Sequence, residues 1–137
     1  MRGEPQDLVH RLDGVRVLVV DDDPDTRALM AMMFELAGAI VIDVPSAAEA
    51  LRVLQRERPD VLVSDLSMPA QDGYWLIEQV RALPAARGGA TPAAALTGHV
   101  TAEDCAAVLR AGFQFHVPRP VRPAQLVGII ALLALKE

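Results

Sequence analysis

Residues 61–73 read Val61-Leu62-Val63-Ser64-Asp65-Leu66-Ser67-Met68-Pro69-Ala70-Gln71-Asp72-Gly73. The first part is a short run rich in β-branched residues that ends on a carboxylate, Asp65, and a loop of turn-forming residues follows it. A buried parallel strand presents a single acid at its C-terminal edge in this way, and this edge is where α/β proteins place their ligands. The pattern therefore predicts a central strand with Asp65 at the functional end of a sheet.

A second strand that ends in acid lies earlier in the chain, where residues 15–20 lead into Asp21, Asp22 and Asp23. If the two strands are neighbours, several carboxylates crowd one end of the sheet. Like charges at that distance repel each other, and each loses solvation when it is confined. A divalent cation relieves both effects, and Mg²⁺ typically takes one or two carboxylates together with waters and substrate phosphate. The alternative from spacing alone is two strand ends whose acids are simply solvated.

Composition and length limit the classes of protein to which this chain could belong. A chain of 137 residues with 52% hydrophobic residues supports one domain with its own core, which we assign to residues 14–137 after a tail or linker at 1–13. The net charge of −5 argues against nucleic acid as the main partner. Cys105 is the only cysteine, which excludes an internal disulfide. No signal segment or apolar run of membrane-spanning length occurs, so we expect a cytoplasmic protein without membrane contact.

Strand and helix patterns alternate along the predicted domain. The expected strands are 15–20, 39–44, 61–65, 92–97 and 113–117, and the expected helices begin near Pro24, Ser46, Gly73, Thr101 and Pro123. The fourth strand is weak on strand propensity because it contains three consecutive alanines. In the first helix, four apolar residues recur at helical spacing and are expected to form the buried face. They are Leu29, Met32, Met33 and Leu36. The alternation predicts an α/β fold with a parallel sheet and helices on both faces.

The chain resembles the receiver domain of two-component response regulators over about residues 14–137. The matches are Asp21-Asp22 after an apolar strand, Asp65-x-x-Met68-Pro69-x-x-Asp72-Gly73, Thr97 at the end of the fourth strand, and a basic residue before Pro120. Each match alone is weak, but the set at these spacings is specific. The resemblance implies a flavodoxin-like, doubly wound, five-stranded sheet of order 2-1-3-4-5 with five helices, the order that a chemotaxis receiver also has.

The resemblance also implies a phosphoacceptor. Asp65 would take a phosphoryl group from the phosphohistidine of a histidine kinase or a phosphotransfer domain and become an aspartyl phosphate. Mg²⁺ is the implied cofactor, because phosphoryl transfer depends on positioning and on neutralising the phosphoryl oxygens. Its implied ligands are Asp22, Asp65 and the backbone carbonyl of Ser67, with Asp21 acting through water.

Further residues of the resemblance would hold the phosphoryl group and report its presence. Thr97 would hydrogen-bond it, and Gly98 would leave room for its approach. The peptide bond before Pro120 is expected to be cis. Arg119 stands where these receivers usually have a lysine, and no shift of register supplies one. His116 stands where many receivers place a rotating Tyr or Phe, and a histidine ring can titrate near neutral pH.

The exchange of lysine for arginine has physical consequences. Arg119 keeps the charge but carries it on a broad planar fork, so the two residue types are not equivalent. We expect Asp65 still to accept phosphate, and we expect weaker coupling of phosphate to the surface of the fourth helix, fifth strand and fifth helix. That surface is the expected docking or homodimer surface, because the fifth helix is apolar nearly all round.

Three functions are compared on this basis. The leading one is a phosphoacceptor switch that is not an enzyme, either standing alone or excised from a hybrid sensor kinase, since Leu12-Asp13-Gly14 resembles the junction before such receivers. The second is a non-switching pseudo-receiver that acts as a protein-binding scaffold, motivated by Arg119. The third, a Mg²⁺ phosphatase of the haloacid dehalogenase type, is disfavoured because neither Asp21 nor Asp23 begins the Asp-x-Asp-x-Thr or Asp-x-Asp-x-Val motif of that family.

Overall fold

The computed structural model describes residues 10–98, 101–119 and 121–135. Within these residues the strands are β1 (Arg16–Val20), β2 (Ile40–Val44), β3 (Val61–Asp65), β4 (Ala93–Thr97) and β5 (Phe115–Pro118). The helices are α1 (Pro24–Leu36), α2 (Ala47–Glu57), α3 (Gly73–Arg81), α4 (Ala102–Ala111) and α5 (Pro123–Leu133), and a 3₁₀ turn covers Ala85–Arg87. The predicted alternation of strand and helix is therefore confirmed.

All neighbouring strands pair in parallel, in the order β2-β1-β3-β4-β5. This confirms the flavodoxin-like, doubly wound sheet. Val20 pairs with Ser64, so β1 and β3 end side by side and their next residues, Asp21 and Asp65, reach the same edge. Strand β4 is fully buried in spite of its weak propensity. Its alanines are flanked by strands on both sides, so the sheet itself compensates for their weak intrinsic preference.

The core is divided by the sheet into two clusters, because successive side chains of a strand point to opposite faces. Leu18 and Val20 belong to one cluster, which includes residues of α2, α3 and α4. Val17 and Val19 belong to the other, which includes residues of α1 and α5. The helices therefore cover both faces of the sheet and leave its C-terminal edge accessible.

The predicted buried face of α1 is wrong. Leu29 is 65% exposed and Leu36 is 66% exposed, and Met32 is exposed as well. The buried residues are instead Met30 and Phe34, which lie one turn apart and join the core cluster beneath the helix. The helix carries two apolar stripes, and the bulky aromatic ring occupies the core in place of the aliphatic stripe that we had assigned there.

The segment before β1 packs on the domain. Leu12, which falls in the predicted tail, is fully buried in the same cluster as Phe34. Its backbone N–H donates to the carbonyl of Ala37 at 2.8 Å, and the N–H of Gly14 donates to the carbonyl of Gly38 at 3.3 Å. These bonds attach the segment to the turn that follows α1.

Gly73 fixes the start of α3 against the end of β3. A Cβ on this residue would lie 2.6 Å from the carbonyl oxygen of Asp65, which is closer than a side chain can approach backbone. The N–H of Gly73 donates to the carbonyl of Leu66 at 3.0 Å, and the carboxylate of Asp72 accepts from the N–H of Trp75 at 2.9 Å as the N-cap. Only glycine permits this close packing of a helix start behind the strand that carries Asp65.

Helix α5 buries only part of its apolar surface. Leu126, Val127 and Ile130 are buried, whereas Leu132 is 56% exposed. No helix among the described residues has the length and apolar character needed to cross a membrane.

The burial of Leu12 leads to a matched pair of substitutions. Leu12→Ala should lower the free energy of unfolding by about 2–5 kcal/mol, because it removes a fully buried side chain and leaves a cavity. Leu36→Ala makes the same chemical change at a mainly exposed site and should alter it by no more than about 0.5 kcal/mol. Urea denaturation measures both. Equal effects of the two substitutions would contradict the packing of the segment before β1.

Candidate functional site

Three carboxylates meet at the C-terminal edge of the sheet. Asp21 and Asp22 follow β1, and Asp65 is the last residue of β3. One carboxylate oxygen from each lies within 4.8 Å of the others. Asp21 and Asp65 are buried, whereas Asp22 is exposed. The structure thus brings together the acids that the sequence placed at two strand ends, and it gives each of them a different environment.

Asp21 is the most enclosed of the three, with 1% of its surface exposed. Its Oδ1 accepts the backbone N–H of Asp23 at 2.9 Å, and its Oδ2 lies 3.1 Å from Nη2 of Arg119. Its carbonyl accepts Nη1 of Arg27 at 2.8 Å, and the same guanidinium pairs with Asp43 on the edge strand β2. The turn after β1 is therefore held by two arginines from different parts of the chain.

Arg119 follows β5, and 35% of its side-chain surface is exposed. Its backbone N–H donates to the carbonyl of Thr97 at 2.9 Å, which extends the pairing of β4 and β5. From there its Nη2 reaches Asp21 at 3.1 Å and lies 3.7 Å from Oδ1 of Asp65. One nitrogen of the guanidinium thus stands between two carboxylates. We expected this residue to approach Asp65, but its shorter contact is with Asp21.

The environment of Asp65 raises the pKa of its carboxyl group above the ordinary 3.8, mainly because burial disfavours the charged form. The neighbouring charge of Arg119 acts in the opposite direction and lowers the pKa, while the charges of Asp21 and Asp22 raise it. The N–H of Ser67 approaches Oδ1 at 3.5 Å and favours the ionised form weakly. Burial and two neighbouring carboxylates thus disfavour the charge of Asp65, and the cation of Arg119 partly offsets them.

An open cavity of about 550 Å³ lies beside the end of β4 and the loop after β3. Ser67 and Thr97 line it, together with Asp72, Tyr74 and Asp104. Thr97 is buried at the end of β4. Gly98, the next residue, is exposed, and a Cβ built on it would meet no atom within 4 Å. Of the predicted phosphoryl-binding residues, Thr97 therefore borders a space that a small anion could enter.

His116 lies within β5. Its Nδ1 is 2.9 Å from Sγ of Cys105 on α4. Cys105 is partly buried, and its thiol contacts this polar ring. Pro120, where a cis peptide bond is predicted, lies outside the described residues.

Several contacts of the site were not predicted from the sequence. The side chain of Asp23 caps α1, and its backbone N–H donates to Asp21. Nothing in the sequence indicated the hydrogen bond from Arg27 to the carbonyl of Asp21, because a single arginine in a helix does not specify its partner. The pairing of Arg119 with Asp21 joins residues 98 positions apart, and only the assembled sheet brings them together.

The carboxylate cluster fits a hard divalent cation. All of its donors are oxygens, and no thiol or imidazole takes part in it. Mg²⁺ prefers such oxygen ligands and commonly binds through one or two carboxylates while it retains waters, and exposed Asp22 leaves one side open to solvent. The residues present are therefore suitable for Mg²⁺.

Comparison with known families gives one assignment for most of the chain. The family described as response regulator receiver domain matches residues 17–131, which include β1 from its second residue, all of β2 to β5 and the carboxylate cluster. An uncharacterised 14.6 kDa protein of Leptolyngbya boryana is 50% identical over 114 residues, which cover 83% of this chain and 86% of that protein.

Two further comparisons involve sensor kinases. The sensor histidine kinase GacS of Pseudomonas protegens is 32% identical over 130 residues; the match covers 94% of this chain but only 14% of the kinase. The crystal structure of the receiver domain of sensor histidine kinase PA1611 from Pseudomonas aeruginosa has a TM-score of 0.80 and 28% identity, and the match covers 88% of this chain and 98% of that domain. That structure has a magnesium ion coordinated in its active-site cleft.

The raised pKa of Asp65 predicts a stabilising substitution. The folded state favours the protonated form of Asp65. This contribution to stability is fully present below the unfolded pKa near 3.8, and it is lost as the pH rises through the higher folded pKa. Asp65→Asn should therefore raise the urea midpoint of metal-free protein at pH 7, and this gain should disappear in acid.

Asp25→Asn is the control, because Asp25 is an exposed acid in the first turn of α1. This substitution should lower the midpoint slightly, since it removes a favourable charge from a helix N-terminus. A lower midpoint for Asp65→Asn than for the parent at pH 7 would contradict the assignment of a buried, repelled carboxylate.

Proposed function

The chain belongs to the family of response regulator receiver domains, and on this premise we propose that it accepts a phosphoryl group on Asp65 in a two-component phosphorelay. The phosphodonor would be the phosphohistidine of a histidine kinase or of a phosphotransfer domain. The domain would act as a switch and not as an enzyme with a turnover of its own. Its place of action would be the cytoplasm.

The observation that carries this proposal is the placement of Asp65. It ends a fully buried strand, it lies within 4.8 Å of the oxygens of two further carboxylates, and a guanidinium nitrogen lies 3.7 Å away. An isolated structural acid would have no need of such neighbours, because crowding it with Asp21 and Asp22 disfavours its charged form. A group that must be surrounded by metal and cation when it carries phosphate does need them.

This arrangement is suited to the proposed phosphoryl transfer. In the ionised state, an oxygen of Asp65 attacks the phosphorus of the phosphohistidine, a P–O bond forms, and the P–N bond breaks with its electron pair leaving on the histidine nitrogen. Arg119 favours the ionised form of Asp65, as the direction of its effect on the pKa indicates. Burial of the carboxylate holds it at the strand end and limits its exposure to water.

Asp22, Asp65 and the backbone carbonyl of Ser67 would hold Mg²⁺, and Asp21 would act through water. When bound, Mg²⁺ supplies positive charge to the phosphoryl oxygens. Exposed Asp22 is suited to direct contact, because it can exchange water for metal without leaving an unpaired buried charge. This metal role is supported by the all-oxygen cluster and by the magnesium in the PA1611 receiver.

The remaining roles concern the phosphorylated state. Thr97 would hydrogen-bond the phosphoryl group, Gly98 would leave room for it, and Arg119 would attract it. We assign the response surface to α4, β5 and α5, which include His116 and carry exposed Leu109 and Leu132. This surface would dock a partner or a second copy. The kinase relatives support a partner that is itself a histidine kinase or phosphotransfer domain, although this chain spans only 14% of GacS.

The second candidate function is a non-switching pseudo-receiver that serves as a binding scaffold. The observation in its favour is that Arg119, in place of the usual lysine, makes its shorter contact with Asp21 and not with Asp65. A guanidinium fixed to Asp21 would be unable to follow the phosphoryl group. Both candidates share one fold, so chemistry at Asp65 separates them.

Phosphorylation is tested directly by intact mass. Parent protein incubated with Mg²⁺ and a small phosphodonor such as acetyl phosphate should gain the mass of one phosphoryl group, because positioning and charge neutralisation supply most of the catalysis. Asp65→Asn should gain none, and Asp25→Asn, which removes an exposed acid outside the carboxylate cluster, should behave as the parent. Folded parent that gains no mass with any donor, histidine phosphodonors included, would favour the scaffold.

Metal binding is tested by substitution of its exposed ligand. Asp22→Ala should weaken Mg²⁺ binding at least about tenfold, since Mg²⁺ gives up water reluctantly and this site offers few anionic ligands. Asp25→Ala removes an exposed acid that lies outside the cluster and should leave the affinity within about twofold of the parent. Isothermal titration calorimetry measures both. An unchanged affinity in Asp22→Ala would exclude Asp22 as a ligand.

A further inference from the structure

Cys105 and His116 form a side-chain pair between α4 and β5. Sγ of Cys105 lies 2.9 Å from Nδ1 of His116, and neither residue belongs to the carboxylate cluster. Both residues are only partly buried, so solvent reaches them. The proposed phosphoryl transfer uses neither the sulfur nor the ring nitrogen. A thiol and an imidazole from two different elements thus meet outside the site already described.

The pair lies at the rim of the sheet. Strand β5 ends the sheet and is paired with β4 on one side. Phe115 and Val117 pack in the cluster that includes α1 and α5, so the alternation of side chains along a strand turns His116 to the opposite face, where α4 carries Cys105. An ion and a second molecule can therefore approach the pair from the outer side of β5.

The two ligand atoms suit zinc. Zn²⁺ binds thiolate sulfur at about 2.3 Å and imidazole nitrogen at about 2.0–2.1 Å, with tetrahedral geometry. Two such atoms on one tetrahedral ion are about 3.5 Å apart. The observed separation of 2.9 Å between Sγ and Nδ1 is shorter, so a small opening of the pair admits the ion between them. Thiolate sulfur also distinguishes zinc from Mg²⁺, which prefers oxygen ligands.

One chain supplies only half of such a site. Among the residues that the structure describes, no third Cys, His, Asp or Glu side chain joins Cys105 and His116 in a cluster that could hold a metal ion. A structural zinc site usually has four protein ligands, and two cysteines with two histidines are a common set. A second copy related by a two-fold axis presents the same patch and therefore the same two ligands.

The exposed surface of α4 favours a second copy of this chain as the partner. Leu109, one turn beyond Cys105, is 49% exposed and offers apolar surface beside the pair. Glu103 lies in the first turn of α4 and Arg110 in its last turn, and both are exposed. Two α4 helices that pack antiparallel about residues 106–107 place Glu103 of each copy opposite Arg110 of the other. The surface is thus complementary to itself in charge.

We propose that Cys105 and His116 form half of a zinc site, which the same two residues of a second copy complete. Each Cys105 thiol loses its proton to solvent as its Zn–S bond forms, and each His116 binds through Nδ1 as a neutral imidazole, so about two protons are released per zinc ion. Zinc would then hold α4 and β5 of two domains together. This proposal does not rest on phosphorylation of Asp65 or on Mg²⁺.

Cobalt titration tests the ligands, because Co²⁺ replaces zinc and shows a charge-transfer absorption when thiolate binds it. Cys105 is the only cysteine in the chain, so this absorption reports the proposed site alone. In the parent it should saturate at one Co²⁺ for two chains and disappear when zinc is added. Cys105→Ser should abolish it, and His116→Gln should weaken metal binding at least about tenfold. His10→Gln removes another exposed imidazole and should stay within about twofold of the parent.

Sedimentation velocity tests the second copy. Zinc should double the mass of the parent, and a chelator should restore the mass of the single chain. Glu103→Arg should weaken the zinc-linked dimer because it sets like charges against each other, and the double variant Glu103→Arg with Arg110→Glu should restore it.

Each outcome supports or overturns the proposal. Folded parent without the thiolate absorption would show that Cys105 and His116 share a hydrogen bond only. Absorption without a doubled mass would overturn the role of the second copy, and a zinc-linked dimer that persists in Cys105→Ser would place the zinc elsewhere. None of these failures affects the mass gain expected at Asp65, so the proposed function is tested separately.

Discussion

The repulsion among Asp21, Asp22 and Asp65 is the constraint around which this edge of the molecule is built. The parallel register of β1 on β3 makes it unavoidable, because Val20 and Ser64 are paired and an acid directly follows each of these two residues. The two strands are buried on both faces of the sheet and cannot slide, since a shift by one residue would turn their core side chains to the wrong face. The fold therefore confines the charges, and the surrounding groups have to compensate for them.

Compensation comes from distant parts of the chain. Arg119 reaches the cluster only because β5 pairs with β4 and β4 pairs with β3, and its backbone is fixed by the bond from its N–H to the carbonyl of Thr97. Arg27 holds the turn after β1 from the other side. Gly73 brings the start of α3 directly behind Asp65. The two arginines would lose these ionic partners in a sheet whose strand ends carried neutral residues, whereas Gly73 packs against backbone and would be needed in either case.

Much of this arrangement could be predicted, and the failures have clear causes. The strands and their acidic ends were visible because apolar runs end abruptly in Asp21 and Asp65. Strand order came from the resemblance, since alternation alone does not specify neighbours. The buried face of α1 was misassigned because Phe34 lies beside an aliphatic stripe of similar period, and only packing decides between them. Leu12 was missed because a single leucine among polar residues has no periodicity to reveal it.

The contact of Arg119 with Asp21 could not be predicted for a different reason, because it depends on burial as well as on position. Three aspartates are identical in the sequence, yet the structure gives them distinct properties. Asp21 is enclosed and already paired, Asp22 faces water, and Asp65 is buried with a raised pKa. The enclosed acid is suited to hold a cation of the protein, the exposed acid to exchange water for metal, and the strand-end acid to react. Environment thus gives the three acids different properties, which the proposed phosphoryl transfer would use for orientation, neutralisation and attack.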